Sequence, residues 1–196
     1  MSYYYQKMNS SIMLLSKLKP FHLMKRGFHI TPPKLDKPKK FSPCEKTFLM
    51  VKPDGVQRGK IGAIISRFEE RGFKLAGIKI LSASEQIIRS HYHEHVDKKF
   101  FPGLLEYIKS GPVVPMIWEG KNVVEVSRAM VGQTHPMKSN PGTIRGDFCL
   151  DLDRNMIHGS SDVQAADYEV KTWFKPGEIL DYDMNQYPWV YSESEN

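Results

Sequence analysis

The chain of 196 residues has little of what marks several common classes of small protein. Its two cysteines, Cys44 and Cys149, are too few for a disulfide framework and do not have the spacing of a zinc site. Uninterrupted aliphatic runs such as residues 12–15 are far shorter than the roughly 20 residues of a transmembrane helix. The composition is neither collagen-like nor too polar to fold. We therefore expect a globular protein that is soluble once processed.

Acidic residues are absent before Asp36. Residues 1–43 hold nine of the 28 basic residues and one of the 22 acidic residues. The rest of the chain has 19 basic and 21 acidic residues, so the formal charge of +6 comes from the N-terminal segment. Because proteins that bind nucleic acids present a broad basic surface, we expect no specific nucleic-acid partner, and recognition of phosphate groups must be local.

Residues 1–33 have the composition of a mitochondrial transit peptide, with basic residues, serines and apolar residues that can line one face of a helix. Pro20 limits any such helix to short pieces. Arg26 is followed by Phe28 and Thr31, a pattern that resembles the two-step processing of matrix proteins. We therefore expect a mitochondrial location, in the matrix or the intermembrane space. The alternative is a disordered basic tail on a cytoplasmic protein.

The remaining chain divides into a linker, one domain and a short tail. Residues 34–43 are rich in proline and lysine and predict the linker. Residues 44–191 predict one domain, and a domain of about 150 residues can bury around 70% of the surface that its unfolded chain exposes. Residues 192–196 form a tail with no readable role.

Apolar periodicity within the domain predicts alternating strands and helices. The strands are expected at residues 47–51, 73–81, 113–118 and 156–158, and the helices at residues 61–72, 84–95, 102–111, 123–131 and 162–174. Ser161 can cap the last of these helices. The β-α-β-β-α-β order predicts an α/β fold, more closely an α+β sandwich, in which helices cover one antiparallel sheet.

The common glycine-rich signatures for phosphate binding are missing. Residues 55–61 resemble a phosphate-binding loop, but they have one residue too few between the glycines, and Ile61 stands where a serine or threonine would be needed. A bound nucleotide would therefore be held by side chains. The long connection between residues 131 and 148 carries Thr134 and Arg145, and loops of this length in a compact domain favour a function.

Four segments, taken in order, resemble the nucleoside diphosphate kinase family. They are residues 52–59 (KPDGVQRG), 110–114 (SGPVV), 141–148 (PGTIRGDF) and 155–160 (NMIHGS). The resemblance extends from about residue 44 to residue 191 without an evident insertion or deletion. It implies a ferredoxin-like sandwich and an enzyme that transfers the γ-phosphate of a nucleoside triphosphate, mainly ATP, to a nucleoside diphosphate by a ping-pong mechanism.

The resemblance also implies roles for individual residues. His158 would carry the phosphoryl group, because a neutral imidazole with a pKa of about 6.5 is a competent nucleophile near neutral pH. Glu169 would fix its imidazole ring, and Ser160, Tyr92 and Lys52 would lie beside it. The phosphates would contact Lys52, Arg128, Thr134 and Arg145. The ribose would contact Lys52 and Asn155, and the base would contact Phe100 and Leu152. Without the surrounding motifs, ordinary core or surface positions would be the better interpretation of each residue.

Partners follow from the same resemblance. Magnesium (Mg²⁺) would arrive with the nucleotide phosphates and not in a dedicated protein site. Residues 91–95 (HYHEH) place His91 and His95 on one predicted helix face but lack the H-E-x-x-H arrangement, so a polar helix face is the preferred interpretation. Relatives in eukaryotes are typically homo-hexamers, and the connection between residues 131 and 148 would lie at their subunit contacts.

Two alternative functions remain open. One is a catalytically idle scaffold of the same fold that binds nucleotides or partners, although the whole set of expected site residues is present. The other adds contact with an anionic membrane through Lys37, Lys39 and Lys40. Three residues that depart from the family bear on base preference. Gln133 and His135 replace residues more usual in the connection, and Asp153 stands beside the expected base contact, where many relatives have a smaller or uncharged residue.

Overall fold

A computed structural model of the chain describes residues 45–192. The predicted transit peptide, linker, lysine cluster and the tail from residue 193 onward lie outside the described residues, so these expectations stay predictions. Within residues 45–192, no helix has both the length and the apolar character needed to cross a bilayer.

Four strands form one antiparallel sheet, which confirms the predicted fold class. They are Glu45–Val51 (β1), Lys74–Ile78 (β2), Val114–Gly120 (β3) and Ile157–Gly159 (β4). Their order in the sheet is β2-β3-β1-β4, and each neighbouring pair is antiparallel. The second strand is shorter than predicted: its pairing with β3 shifts register between Leu75 and Gly77, and Leu81 forms only an isolated bridge with Val113.

Helices of very different length connect the strands. They are Pro53–Gln57 (α1), Ile61–Glu70 (α2), Glu85–His91 (α3), Phe101–Lys109 (α4), Val123–Val131 (α5), Ile144–Phe148 (α6), Val163–Trp173 (α7) and Tyr187–Val190 (α8). Four short 3₁₀ turns add to them at His93–His95, Pro136–Lys138, Leu152–Arg154 and Pro176–Glu178. The expected loop between residues 131 and 148 therefore contains helical turns.

Both faces of the sheet are buried, and strand β1 shows how. Successive side chains of a strand point to opposite faces. Phe48 and Met50 face a core formed with α3, α4 and α7, whereas Leu49 and Val51 face a core formed with α2 and α5. All four residues are fully buried, so the strand is a continuous apolar run and not an alternating one.

Two predicted helix boundaries are wrong. The helix expected to reach about residue 95 ends at His91, and a separate 3₁₀ turn follows, so His91 and His95 do not share a helix face. Asp162, not Ser161, caps α7: its Oδ1 accepts the backbone N–H of Ala165 at 2.8 Å. A carboxylate is the better cap because its negative charge also compensates the positive end of the helix dipole.

The ion pairs of Glu119 give a test of what holds the sheet together. Lys74 and Lys46 flank Glu119 on neighbouring strands and lie 2.5 Å and 3.0 Å from its carboxylate oxygens. We expect Lys74→Met to lower the free energy of unfolding by about 3 kcal/mol, because it leaves a buried carboxylate with only one partner. Lys46 is exposed, so the matched Lys46→Met should cost less than about 1 kcal/mol. Urea denaturation measures both, and equal losses would contradict the assignment.

Candidate active site

The pairing of β1 with β4 brings distant parts of the chain to one place. Met50 lies opposite His158 in this pairing, so both side chains point to the same face of the sheet. Lys52 follows β1 directly, and its backbone N–H donates to the carbonyl of Met156 at 2.8 Å. The site is therefore built where a central strand ends beside the short edge strand.

Met156 has a backbone conformation that the sequence did not reveal. Its φ of 65° lies in the left-handed region, which is unusual for a residue other than glycine. The turn is closed by the N–H of Ile157, which donates to the carbonyl of Asn155 at 2.7 Å. Strain of this kind persists only where the surrounding structure imposes it, and here it redirects the chain between Asn155 and His158.

A hydrogen-bond chain fixes the imidazole ring of His158. Its Nε2 lies 2.8 Å from Oε1 of Glu169 in helix α7. The hydroxyl of Ser160 donates to the other carboxylate oxygen at 2.5 Å and accepts the backbone N–H of Phe48 at 3.2 Å. Because Nε2 is bonded to an acceptor, it carries the proton, and Nδ1 is left with a free lone pair.

Burial and positive charge keep His158 neutral. Desolvation lowers its pKa below the ordinary value, and the charges of Lys52, Arg145 and Arg128 lower the pKa further. Burial also raises the pKa of Glu169. The ring nevertheless reaches solvent, because its side chain is 20% exposed. A neutral imidazole with one open nitrogen can act as a nucleophile at neutral pH.

Lys52 and Asn155 form a second buried unit beside His158. The Lys52 ammonium donates to Oδ1 of Asn155 at 2.7 Å, and Nδ2 of Asn155 donates to the backbone carbonyl of Thr134 at 3.0 Å. Burial, followed by the charge of Arg145, lowers the pKa of Lys52 to about 8. Asn155 thereby holds the ammonium in place and ties it to the connection that carries Thr134.

The two arginines of the site differ in their surroundings. Arg145 is buried, and its guanidinium donates to three backbone carbonyls, those of Gly132, Asn155 and Ile157, at 2.6–3.3 Å. It therefore also holds the surrounding loops together, a role that the sequence did not predict. Arg128 is exposed on α5, and its contact with the carbonyl of Ser160 is long, at 3.4 Å. Arg128 is thus the more available of the two for an anionic ligand.

One cleft of about 1260 Å³ joins these groups. Phe100 and Leu152 present exposed apolar surface at its wall, with exposures of 55% and 46%. The hydroxyl of Tyr92 is buried without a hydrogen-bond partner among the described residues, and its ring centroid lies 5.9 Å from that of His158. Ten of the eleven predicted site residues line the cleft, namely Lys52, Tyr92, Phe100, Arg128, Thr134, Arg145, Leu152, Asn155, His158 and Glu169. Ser160 lies behind Glu169.

His91 is a neighbour of His158 that the sequence did not predict as part of the site. The centroids of the two rings are 4.4 Å apart, and ligand-type atoms of His91, His158 and Glu169 lie within 4.8 Å of one another. This set resembles a transition-metal site in residue type. However, Nδ1 of His91 already accepts a hydrogen bond from Trp173, and His158 is bonded to Glu169. His91 therefore has no free lone pair for a metal ion, because its Nδ1 lone pair is in use and its proton lies on Nε2.

Comparison with known protein families places this cleft in context. The family model for nucleoside diphosphate kinase matches residues 45–179. A nucleoside diphosphate kinase of Columba livia is 52% identical over 148 residues, which cover 76% of this chain and 97% of that protein. Nucleoside diphosphate kinase B of Homo sapiens is 54% identical over 147 residues, which cover 75% of this chain and 97% of that protein.

Solved structures agree with this similarity. The structure of a halophilic nucleoside diphosphate kinase from Halobacterium salinarum in complex with CDP matches with a TM-score of 0.74 and is 46% identical in sequence. The match covers 76% of this chain and 99% of that chain. The structure of a nucleoside diphosphate kinase family protein from Babesia bovis matches with a TM-score of 0.73 and is 44% identical in sequence. The match covers 75% of this chain and 99% of that chain.

The neutral state of His158 can be tested by titration. For a histidine with the ordinary pKa of about 6.5, the neutral fraction falls about eightfold between pH 6 and pH 5. We expect the neutral fraction of His158 to fall less than about twofold over the same range, because its environment disfavours the charged ring. Between these pKa values, His158 binds a proton in the unfolded chain but not in the folded protein. The free energy of unfolding should therefore also fall as the pH drops below about 6.5.

Nitrogen-15 NMR of labelled histidine measures this titration, and the His158→Gln variant identifies the signal. A midpoint near the ordinary value would show that neither burial nor the neighbouring cations control the ring.

Proposed function

The chain belongs to the nucleoside diphosphate kinase family, and we propose that its reaction passes through a phosphoryl group carried on Nδ1 of His158. As a nucleoside diphosphate kinase it transfers the γ-phosphate of a nucleoside triphosphate to a nucleoside diphosphate. The observation that carries the proposal is the hydrogen bond of 2.8 Å between Nε2 of His158 and Glu169. It orients the ring and leaves Nδ1 as the one nitrogen that can attack.

Each half of the reaction balances without moving a proton. The Nδ1 lone pair attacks the γ-phosphorus, the bond between that phosphorus and the bridging oxygen breaks, and the nucleoside diphosphate leaves with the electron pair. The ring then carries positive charge, which the carboxylate of Glu169 stabilises through the Nε2 proton. In the second half, a terminal oxygen of another nucleoside diphosphate attacks, and the lone pair returns to Nδ1.

The cations around the cleft supply the charge that phosphoryl transfer needs. Burial is the largest cause of the low pKa of His158, and the charges of Lys52, Arg145 and Arg128 lower that pKa further, so their positive charge reaches the position where phosphate would lie. Arg128 suits phosphate because its planar guanidinium can donate twice to one group. Thr134 adds a hydroxyl from the adjoining connection. We assign the phosphates to these four residues.

The base and ribose occupy the wider end of the cleft in this proposal. The ring of Phe100 offers an exposed face for stacking, and Leu152 offers an apolar contact. Neither side chain reads hydrogen-bond patterns, and every base has a π-face, so broad base specificity follows. The Lys52 and Asn155 pair presents polar atoms for the ribose hydroxyls.

Magnesium fits this site only as a companion of the nucleotide. The cleft is lined by four basic side chains, those of Lys52, Arg128, Arg145 and Arg154, and the buried carboxylate of Glu169 is already bonded to His158 and Ser160. Mg²⁺ prefers oxygen ligands and is often held by substrate phosphates. Bound to those phosphates, it would neutralise part of their negative charge, and no residue of the cleft needs to leave its partner to hold it.

A homo-hexamer, the assembly that we infer from the family resemblance, has support in exposed apolar surface. Ile80, Leu180 and Trp189 have exposures of 62%, 63% and 91%, and strand β2 lies at an edge of the sheet. Such surface commonly marks contacts between chains. Contact of Lys37, Lys39 and Lys40 with anionic lipid is a further proposal and has support in their charge alone.

Phosphorylation of the protein itself tests the proposed nucleophile. Protein incubated with γ-labelled ATP should take up acid-labile label, and added GDP should remove it as labelled GTP. His158→Ala should lose all label, whereas His135→Ala should keep it, because exposed His135 does not line the cleft.

Undiminished label in His158→Ala would refute the proposed residue. A wild-type protein that binds nucleotide but takes up no label would instead favour the idle scaffold.

The mitochondrial proposal is tested separately with the N-terminal segment. We expect residues 1–43 fused to a fluorescent protein to send it to mitochondria, because the segment is basic and can form amphipathic helices. The matched control replaces its nine basic residues by glutamine and should stay in the cytoplasm. Diffuse fluorescence of both fusions would favour the cytoplasmic alternative.

A further inference from the structure

A buried hydrogen bond beneath the nucleophile has no part in the reaction described above. The indole Nε1–H of Trp173 donates to Nδ1 of His91 at 3.1 Å, and the two residues are only 3% and 6% exposed. An indole nitrogen can donate but never accept. Nδ1 of His91 therefore carries no proton, and the neutral ring must carry its proton on Nε2.

Two observations show that Trp173 selects this tautomer. Burial lowers the pKa of His91 well below its ordinary value, which removes the doubly protonated form. The charged and titratable groups that face it are Lys52, His93, His158 and Glu169. Nε2 of His91 is buried without a hydrogen-bond partner among the described residues, so no other contact favours a proton there.

The tautomer matters because His91 lies beside the same carboxylate oxygen as the nucleophile. Nδ1 of His91 is 3.8 Å from Oε1 of Glu169, and Nε2 of His158 is 2.8 Å from it. An Nδ1 atom without a proton cannot donate to that oxygen. If the proton moved to Nδ1, two imidazoles would compete for Oε1, and the proton of His158 would no longer be fixed on Nε2.

We propose that Trp173 is a positioning residue that reserves Oε1 of Glu169 for His158 by controlling the tautomer of His91. Trp173 keeps Nδ1 of His91 without a proton, and Glu169 then accepts from the nucleophile alone. This keeps the proton of His158 on Nε2 and the attacking lone pair on Nδ1. The inference rests on the proposed role of His158, since it concerns how that ring is held.

The variant Trp173→Phe tests the proposal, because it removes the indole donor and keeps an aromatic ring against Phe48. We expect kcat to fall about tenfold, a typical loss when the group that orients a reactive residue is removed. The KM for nucleotide should stay within about twofold, because no contact of the cleft is changed. Nitrogen-15 NMR should show that His91 gains an Nδ1–H form.

Trp118→Phe is the matched control. Trp118 is equally buried, but its indole nitrogen has no hydrogen-bond partner among residues 45–192, and it lies in the core on the other side of the sheet. This variant should lower stability and leave kcat and the His91 signal unchanged. A similar fall of kcat in both variants would assign the effect to packing and overturn the proposal.

The double variant Trp173→Phe/His91→Phe separates positioning from packing more sharply. Without an imidazole at position 91, nothing competes for Glu169, so kcat should return to within about threefold of the wild type. If the pair only filled space, the second substitution would lower kcat further, and the proposal would fail.

One measurement needs no variant. The NMR signal of His91 in the wild-type protein should show a proton on Nε2, and a proton on Nδ1 would overturn the proposal even if Trp173→Phe did not fold. If the proposal for Trp173 fails, the proposed function is unaffected, because the labelling of His158 is measured independently.

Discussion

The hydrogen bond between His158 and Glu169 is the contact on which the proposed chemistry of this chain depends. It joins the short edge strand β4 to the last major helix, α7, and it forms only when both pack against β1. Ser160 extends the contact to the backbone of Phe48 in the centre of that strand. The proposed nucleophile is therefore oriented by the fold itself and not by a mobile loop, which is what an attack along a defined line requires.

This arrangement places several charged groups where water is largely excluded. Lys52, Arg145 and Glu169 are each less than 10% exposed, and burial of isolated charges costs free energy. Each charge is partnered here: Asn155 accepts from Lys52, backbone carbonyls accept from Arg145, and Ser160 donates to Glu169. Nevertheless, among residues 45–192, neither Lys52 nor Arg145 forms a direct ion pair with a carboxylate. A phosphate entering the cleft meets charges that are already in position and need no reorganisation.

The sequence predicted most of the fold because its strands are long apolar runs or lie next to distinctive turns. His158 and Lys52 could be found because each sits in a local motif. Other features depend on contacts between distant residues and leave no local signal. His91 meets Glu169 and Trp173 across 78 and 82 positions of the sequence, and the left-handed turn at Met156 has no glycine to mark it. The helix α3 likewise ends at His91, whose ring packs against that of His158, and no local sequence signal marks this end.

In the proposed ping-pong reaction, both halves place nearly the same demands on the site. This explains why the proposed base contacts do not distinguish one base from another. Donor and acceptor nucleotides must occupy the same cleft in turn, so a strong preference for either would slow the other half. The base contacts that we propose, Phe100 and Leu152, would satisfy this condition because stacking and apolar contact tolerate every base. In the proposed function, recognition lies instead at the phosphates, which all substrates share and which we assign to Lys52, Arg128, Thr134 and Arg145. Asp153, which lies beside Leu152 in the cleft, is the position where this chain could depart from such neutrality.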